Sequence, residues 1–329
     1  MYTTTVPWSQ WNGHVPRFAS GDPGVETWIA EDNSSKTNNA GVYAATRLRP
    51  TDGLSVILGS RWSYWKTRTE ERPNSSSYDP ANPISDDRKE RGVFTPYAGI
   101  VYDLNKNLTA YASYTEIFNP QSYKDASGKV LDPEQGKNFE VGLKGAWLDG
   151  RLNASVAVFE VRKDNLAVAD GDNLTPSGDQ AYVARDNTKG RGWELEVSGE
   201  LARGWQMQAG YTRVVTRGSD GARLNGNQPS HMFKLFSSYR VAGVPGLMLG
   251  GGVVWQSKVY TTWVDESLRP FYTQKPYAVV NLMARYDIDR RWSLTVNLNN
   301  VFDKRYRTTP GSHVYGAPRN LYATLKYQF

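Results

Sequence analysis

The sequence predicts an all-β chain organised as an antiparallel transmembrane β-barrel, with about 13 strands present. Three observations carry this. Apolar and polar residues alternate with period two over most of the chain. Short polar turns alternate with long loops along it. The last strand alternates to a terminal aromatic, Phe329.

Period-two alternation sends successive side chains to opposite faces of a sheet. In Trp292-Ser293-Leu294-Thr295-Val296-Asn297-Leu298-Asn299 every second residue is apolar, and Trp193–Ser198 and Trp205–Thr212 repeat the pattern. The polar partners Glu194, Glu196, Gln206, Gln208, Asn297 and Asn299 suit a wet lumen. Alternation alone fits a soluble sandwich with one face in water equally well. Strands are predicted near 38–49, 54–66, 92–103, 107–118, 137–148, 151–163, 181–200, 204–217, 229–241, 246–259, 276–286, 290–301 and 317–329.

Connection lengths favour the barrel. The tight turns are Pro50-Thr51-Asp52-Gly53, Asn105-Lys106-Asn107, Asp149-Gly150-Arg151, Ala202-Arg203-Gly204, Val244-Pro245-Gly246 and Asp287-Ile288-Asp289-Arg290. These are hairpin signals, Asp-Gly the strongest. Between them lie long stretches near 69–90, 118–136, 164–180, 218–228, 260–275 and 302–316. Short turns at one end and long loops at the other is the asymmetry of an outer-membrane barrel. Trp147, Trp205 and Trp292 stand beside short turns, whereas Trp62 and Trp255 stand further along their strands. A separation of roughly 20–25 Å between these two levels matches the apolar band of such barrels.

Bulk properties exclude other classes. Mean hydropathy is −0.60, and no apolar run is long enough for a transmembrane helix. Cysteine is absent, which removes disulfides and thiol chemistry. The net charge is +6, but the basic residues are dispersed among acids, so no nucleic-acid partner is expected. His14, His231 and His313 lack zinc spacing, so no metal site is expected. Ser230-His231 and Ser312-His313 are adjacent pairs whose side chains point apart on a strand, so no catalytic residue is assigned. The first residues show no signal-peptide pattern. An exported protein needs one, so a piece of a longer chain is expected.

The C-terminal residues are the most specific. Asn297-Leu298-Asn299-Asn300-Val301-Phe302-Asp303-Lys304-Arg305-Tyr306 is followed by Tyr315-Gly316-Ala317-Pro318-Arg319-Asn320 and the closing strand Leu321–Phe329. Upstream stand Leu131-Asp132-Pro133-Glu134 through Lys144, and Gly190-Arg191-Gly192-Trp193-Glu194-Leu195-Glu196. In this order, these segments resemble the C-terminal part of a TonB-dependent outer-membrane receptor, ferric-siderophore branch. The resemblance implies the last strands of a 22-stranded barrel, with residues 1–37 as a segment like an extracellular loop and 38–329 as barrel. The plug domain and TonB box of the family are absent from these residues.

The resemblance further implies siderophore binding and iron uptake at the bacterial outer membrane, with a ferric siderophore as ligand and no cofactor. Implied partners are outer-membrane lipid, the TonB complex through the missing N-terminal region, and the barrel-assembly machinery through the C-terminal strand. Loop residues expected to meet ligand are Trp8, Trp11, Trp28, Tyr78, Tyr123, Trp263, Arg269, Tyr272 and Tyr315, with Phe271 and Arg319 as further candidates. Lumenal Glu140, Lys144, Glu194 and Glu196 are placed to face a plug, and Asp303-Lys304-Arg305 is read as structural. A passive porin-like channel, or a barrel enzyme of the phospholipase or protease class, is the alternative.

Overall fold

The computed structural model describes residues 31–73, 84–176, 178–261, 273–309 and 314–329. Among these there are strands and turns and no helix. Thirteen strands form one antiparallel sheet: β1 (Glu31–Thr51), β2 (Leu54–Pro73), β3 (Ile84–Asp103), β4 (Leu108–Asn119), β5 (Glu134–Trp147), β6 (Leu152–Asp164), β9 (Thr188–Ala202), β10 (Trp205–Arg217), β11 (His231–Arg240), β12 (Leu247–Gln256), β15 (Tyr277–Asp287), β16 (Trp292–Asn299) and β17 (Asn320–Tyr327), paired in that order. The remaining strands lie in the long loops. They are the hairpin β7 (Leu166–Leu174) with β8 (Gln180–Arg185), and the short pair β13 (Val259–Tyr260) with β14 (Thr273–Gln274).

Several boundaries differ from expectation: β2 runs to Pro73 rather than 66 and β3 starts at Ile84 rather than 92, so strand takes up part of the long stretch expected over 69–90. The segment 181–200 is not one strand. Its first part closes the β7–β8 hairpin, and β9 starts only at Thr188. Alternation continues across this junction, so the sequence hides it. The break is made by Asn165 and Asn187, both in the left-handed region at φ 58° and 57°. The amide of Asn165 donates to Asp186 Oδ1 and that of Asn187 to Asp164 Oδ1, each at 2.9 Å. This reciprocal Asx pair ends one ladder and starts another, because short amide side chains tolerate positive φ and cap freed amides locally. The strand β1 likewise reaches further than expected, beginning at Glu31 rather than near 38.

The chain divides into two compact units. The smaller contains the long-loop ends of β1–β3, where Thr37 and Thr67 hydroxyls meet at 3.1 Å and Lys89 lies 5.8 Å from the Tyr64 ring centre. The larger contains everything from β4 onward with the adjoining parts of β1–β3.

Within the larger unit the two sheet faces separate cleanly. Val141, Val158, Leu195, Leu249, Leu282 and Leu321 share the apolar face and are 44–66% exposed. Among the described residues the buried apolar set is only Ala157, Ala181 and Val259. A sandwich buries its apolar face against a second sheet. Here that face is the bare one, as a wall against lipid requires. At the short-turn end it carries Trp147, Trp205, Tyr239, Tyr286, Trp292 and Tyr327, with Trp205 opposite Tyr239 and the Trp292 and Tyr327 rings 4.7 Å apart. At the other end stand Trp62 against Phe94, Trp193 stacked on Tyr211, and Trp255 opposite Phe233. These are the two aromatic levels expected at membrane interfaces.

Candidate functional site

The polar face is continuous across the ladder. Thr109 opposes Lys144, which opposes Ser155, which opposes Glu196. One rung further, Tyr111, Gly142, Ala157 and Glu194 align. The Tyr111 hydroxyl donates to Glu140 Oε1 at 2.6 Å, and Lys144 Nζ lies 4.8 Å from the Tyr111 ring centre. Further round, Glu196, Ser198, Gln208, Lys234, Asn281, Asn297 and Asn299 line a concavity of about 570 Å³. Side chains of this kind bind water or another polar surface and offer no nucleophile with a base. His231 Nδ1 lies 2.7 Å from the Tyr211 hydroxyl, while Ser230 Oγ meets Ser257 Oγ at 3.3 Å. Ser230 and His231 therefore form no dyad, and Ser312-His313 lies outside the described residues.

At the long-loop end neighbouring loops are tied side by side. In loop 120–133, Asp125 Oδ1 accepts from the Ser127 amide and hydroxyl and from the Lys129 amide. The Tyr123 ring then meets Tyr182 of β8 at 4.4 Å, and the Tyr182 amide donates to Lys124 O at 2.8 Å. Arg185, at the end of β8, pairs with Asp220 of the next loop at 3.1 Å. In that loop Arg223 donates to Asn225 O and Gln228 O, and its guanidinium sits 5.5 Å from the Tyr260 ring centre. The Tyr260 amide donates to Gly226 O at 2.8 Å, and Lys258 Nζ is 5.4 Å from the same ring. Finally Gln274 Oε1 accepts from the Arg307 amide at 2.9 Å, which joins β14 to the last loop. There Tyr277 and Tyr306 stack at 4.4 Å.

Of the residues expected to meet ligand, Tyr123 and Tyr315 are on this rim, 47% and 55% exposed. Arg319 is exposed, and its amide is held by Asp303 Oδ1 at 2.9 Å. Trp8, Trp11, Trp28, Tyr78, Trp263, Arg269, Phe271 and Tyr272 lie outside the described residues. Three rim residues were not singled out in the sequence. Tyr182 was hidden by the strand assigned over 181–200. Arg223 and Tyr260 are far apart in sequence, and only the fold brings them together. The spacing Lys258-x-Tyr260 at a strand end was the available signal.

Two expected results follow from this rim. Tyr123→Ala removes one half of the Tyr123–Tyr182 ring pair, worth about 1 kcal/mol. Global stability changes little, but amide exchange within 120–133 and 166–185 accelerates together. Unchanged exchange in the β7–β8 hairpin would show that the ring pair does not couple the loops. The Asp125 carboxyl is held below the ordinary carboxylate range, chiefly by the Ser127 hydroxyl and further by the Lys129 and Ser127 amides. A depressed pKa contributes stability above the unfolded value that is lost as pH falls through the folded one. Exchange protection of the Ser127 and Lys129 amides should therefore persist at the unfolded carboxylate pKa, about 3.9, and vanish only below it. Asp125→Asn should remove this acid transition.

A family model for the TonB-dependent receptor-like β-barrel matches residues 2–301. The chain belongs to the TonB-dependent receptor β-barrel family. A ferric-pyoverdine BN7/BN8 receptor of Pseudomonas putida is 47% identical over 323 residues, covering 97% of this chain and 37% of the relative. The ferripyoverdine receptor of Pseudomonas aeruginosa is 37% identical over 337 residues, covering 99% of this chain and 39% of the relative. The solved structure of the pyoverdine outer-membrane receptor FpvA of Pseudomonas aeruginosa, bound to pyoverdine, superposes with a TM-score of 0.79 at 37% identity. It is covered to 45%, and this chain to 97%. The chain thus spans about two fifths of the length of these curated relatives. As a member of this family it lies in the bacterial outer membrane. The matched relatives are receptors, and the porin and hydrolase alternatives find no support among them.

Proposed function

We propose that the chain forms part of the wall and outer rim of a receptor that binds a ferric siderophore of the pyoverdine class and imports it under TonB drive. The observation that carries this reading is the joined rim. Aromatics and cations from five successive loop segments, exposed at Tyr123 and half-buried at Tyr182, Arg185, Arg223 and Tyr260, are held in one row by loop-to-loop contacts. Flat chromophores and metal-bound chelates favour such aromatic and cationic surroundings. In this reading Tyr123, Tyr315 and Arg319 contact ligand, joined by Trp8, Trp11, Trp28, Tyr78, Trp263, Arg269 and Tyr272, and residues 1–37, the last of which open β1, belong to an external segment. Gating and TonB coupling fall to the rest of the receptor, whose plug would meet Glu140, Lys144, Glu194 and Glu196. The strand ending at Phe329 addresses the barrel-assembly machinery.

Titration of the refolded chain with ferric pyoverdine, read by quenching of tryptophan fluorescence, tests the ligand assignment. Saturable quenching that a ferric siderophore of another class does not reproduce is expected. Equal response to both, or none, would overturn the ligand class. In a receptor-null strain the chain alone should not restore radioiron uptake. Rescue by it alone would overturn the division of labour.

A further inference from the structure

Among the described residues of the larger unit, the apolar wall is interrupted at its long-loop end. At the long-loop end of β5, β6, β9 and β10, the lipid-side face carries six cations: Lys137, Arg162, Lys189, Arg191, Arg213 and Arg217. The ladder sets Lys137 opposite Arg162, Arg162 opposite Lys189, and Lys189 opposite Arg217. Arg191 stands one rung nearer the apolar band, opposite Glu160 and Val215. Arg213 stands one rung nearer again, between Trp193 and His231, level with Val141 and Val158. All six are exposed. With strands about 4.8 Å apart and same-face residues about 7 Å apart, they occupy a patch of roughly 15 by 15 Å.

The surrounding charges do not neutralise it. Glu160 pairs with Arg162 at 2.5 Å and with Arg191 at 2.6 Å. Glu116 lies opposite Lys137 but accepts from the Tyr114 hydroxyl. Lys137, Lys189 and Arg213 have no ion-pair partner among the described residues, and Arg217 donates to Gly221 O. Like charges directly opposite across a ladder are destabilising, so four cations in one rung call for an external anion. Aromatic rings hold the patch at interface depth. Arg162 lies 5.3 Å from the Phe139 ring centre, Phe139 packs on Tyr114 at 5.0 Å, and Trp193 stacks on Tyr211 at 4.9 Å. Below it run Val141, Val158 and Leu195, exposed and apolar. The rung of four ends at β10, since the β10–β11 ladder stops with Arg213 opposite His231, and one rung nearer the apolar band the row Tyr211, Phe233, Trp255 and Ala278 holds no cation. The feature is a patch and not a girdle.

We propose that this patch docks the phosphate-bearing headgroup of an anionic lipid of the external leaflet, with its acyl chains along the Val141, Val158 and Leu195 wall. Clustered cations at headgroup depth attract such lipids additively, and guanidinium groups match phosphate in paired hydrogen bonds. The inference rests on the membrane placement of the sheet and not on the ligand reading. A chain that docks lipid but no ferric siderophore leaves it standing.

The test is a titration of the refolded chain in neutral detergent with bisphosphorylated lipid A, followed by native mass spectrometry. Phosphatidylcholine and inorganic pyrophosphate serve as separate arms. Retention of lipid A over both is expected, weakening at high salt. The triple variant R162Q/K189Q/R213Q should lose affinity roughly a hundredfold. The lumenal triple K144Q/K234Q/K326Q, with the same change in net charge, should stay within a few-fold. Equal retention of phosphatidylcholine, equal binding of pyrophosphate, or equal loss in both triples would each overturn the proposal. Should the first triple fail to fold, R162K/R213K must retain lipid A, and insensitivity of the unmodified chain to salt overturns the proposal by itself.

Discussion

Asn300→Ala should lower the unfolding free energy of the refolded barrel segment by roughly 2–4 kcal/mol. Asn300 is 3% exposed and sits in the left-handed region at φ 49°. Its Nδ2 donates to Lys304 O and Ala317 O, each at 3.0 Å, and its Oδ1 accepts from the Lys304 amide at 2.8 Å. Its own amide donates to Asn281 Oδ1 at 2.9 Å. The side chain therefore closes the turn after β16 and reaches across to the segment before β17, while the main-chain amide ties the turn to β15. Alanine strands three polar groups and adds a Cβ-bearing residue with no local hydrogen bond to offset positive φ. The midpoint of guanidinium unfolding in micelles should fall. Asn300→Gly should recover about 1 kcal/mol of the loss, since it relieves only the backbone cost. An unchanged midpoint for Asn300→Ala would remove the residue from its place as organiser of the last loop.

Gly199→Ala should be costlier still, at least about 3 kcal/mol or failure to assemble. Gly199 has φ +131°, and an added Cβ would stand 1.9 Å from Arg151 O, 2.8 Å from Arg151 C and 2.9 Å from Leu152 Cα. All three are backbone atoms, so no side chain can turn aside to make room. Relief requires parting β6 from β9 where the Glu200 amide donates to Arg151 O at 2.9 Å. Gly150 is the control, because at φ +80° its Cβ would meet nothing within 4 Å. Gly150→Ala should cost only about 1–2 kcal/mol, the left-handed backbone term. Comparable folded fractions for the two variants, measured by heat-modifiable gel mobility, would refute the steric account.

These two residues differ in how legible they were. Asn300 lies in the stretch Asn297–Tyr306 that marked the family, and the structure supplies its physical meaning. The two halves of that motif are bonded to one another, Asn300 to Ala317 O and Asp303 to the Arg319 amide. Of Asp303-Lys304-Arg305, expected to be structural, Asp303 and the main chain of Lys304 take part in this bonding. Gly199 sits in Val197-Ser198-Gly199-Glu200 like any strand glycine. Its positive φ and its close approach to Arg151 and Leu152 come from the pairing of β9 with β6, which no local pattern reports.

The sequence by itself determined the thirteen strands of the main sheet to within their ends, the two faces, the alternation of turn and loop, and the family, but not the loop strands β7, β8, β13 and β14. Each rests on local rules of period, turn chemistry and motif that act within one or two strands. Tertiary structure alone decided which face is bare and how the loops join. It also decided which cations share a patch: Lys137, Arg162, Lys189 and Arg217 are scattered along eighty residues and meet only through ladder register. Pairing between strands follows from the whole sheet's bulges and turns, so neighbours across it cannot be read from neighbours along the chain.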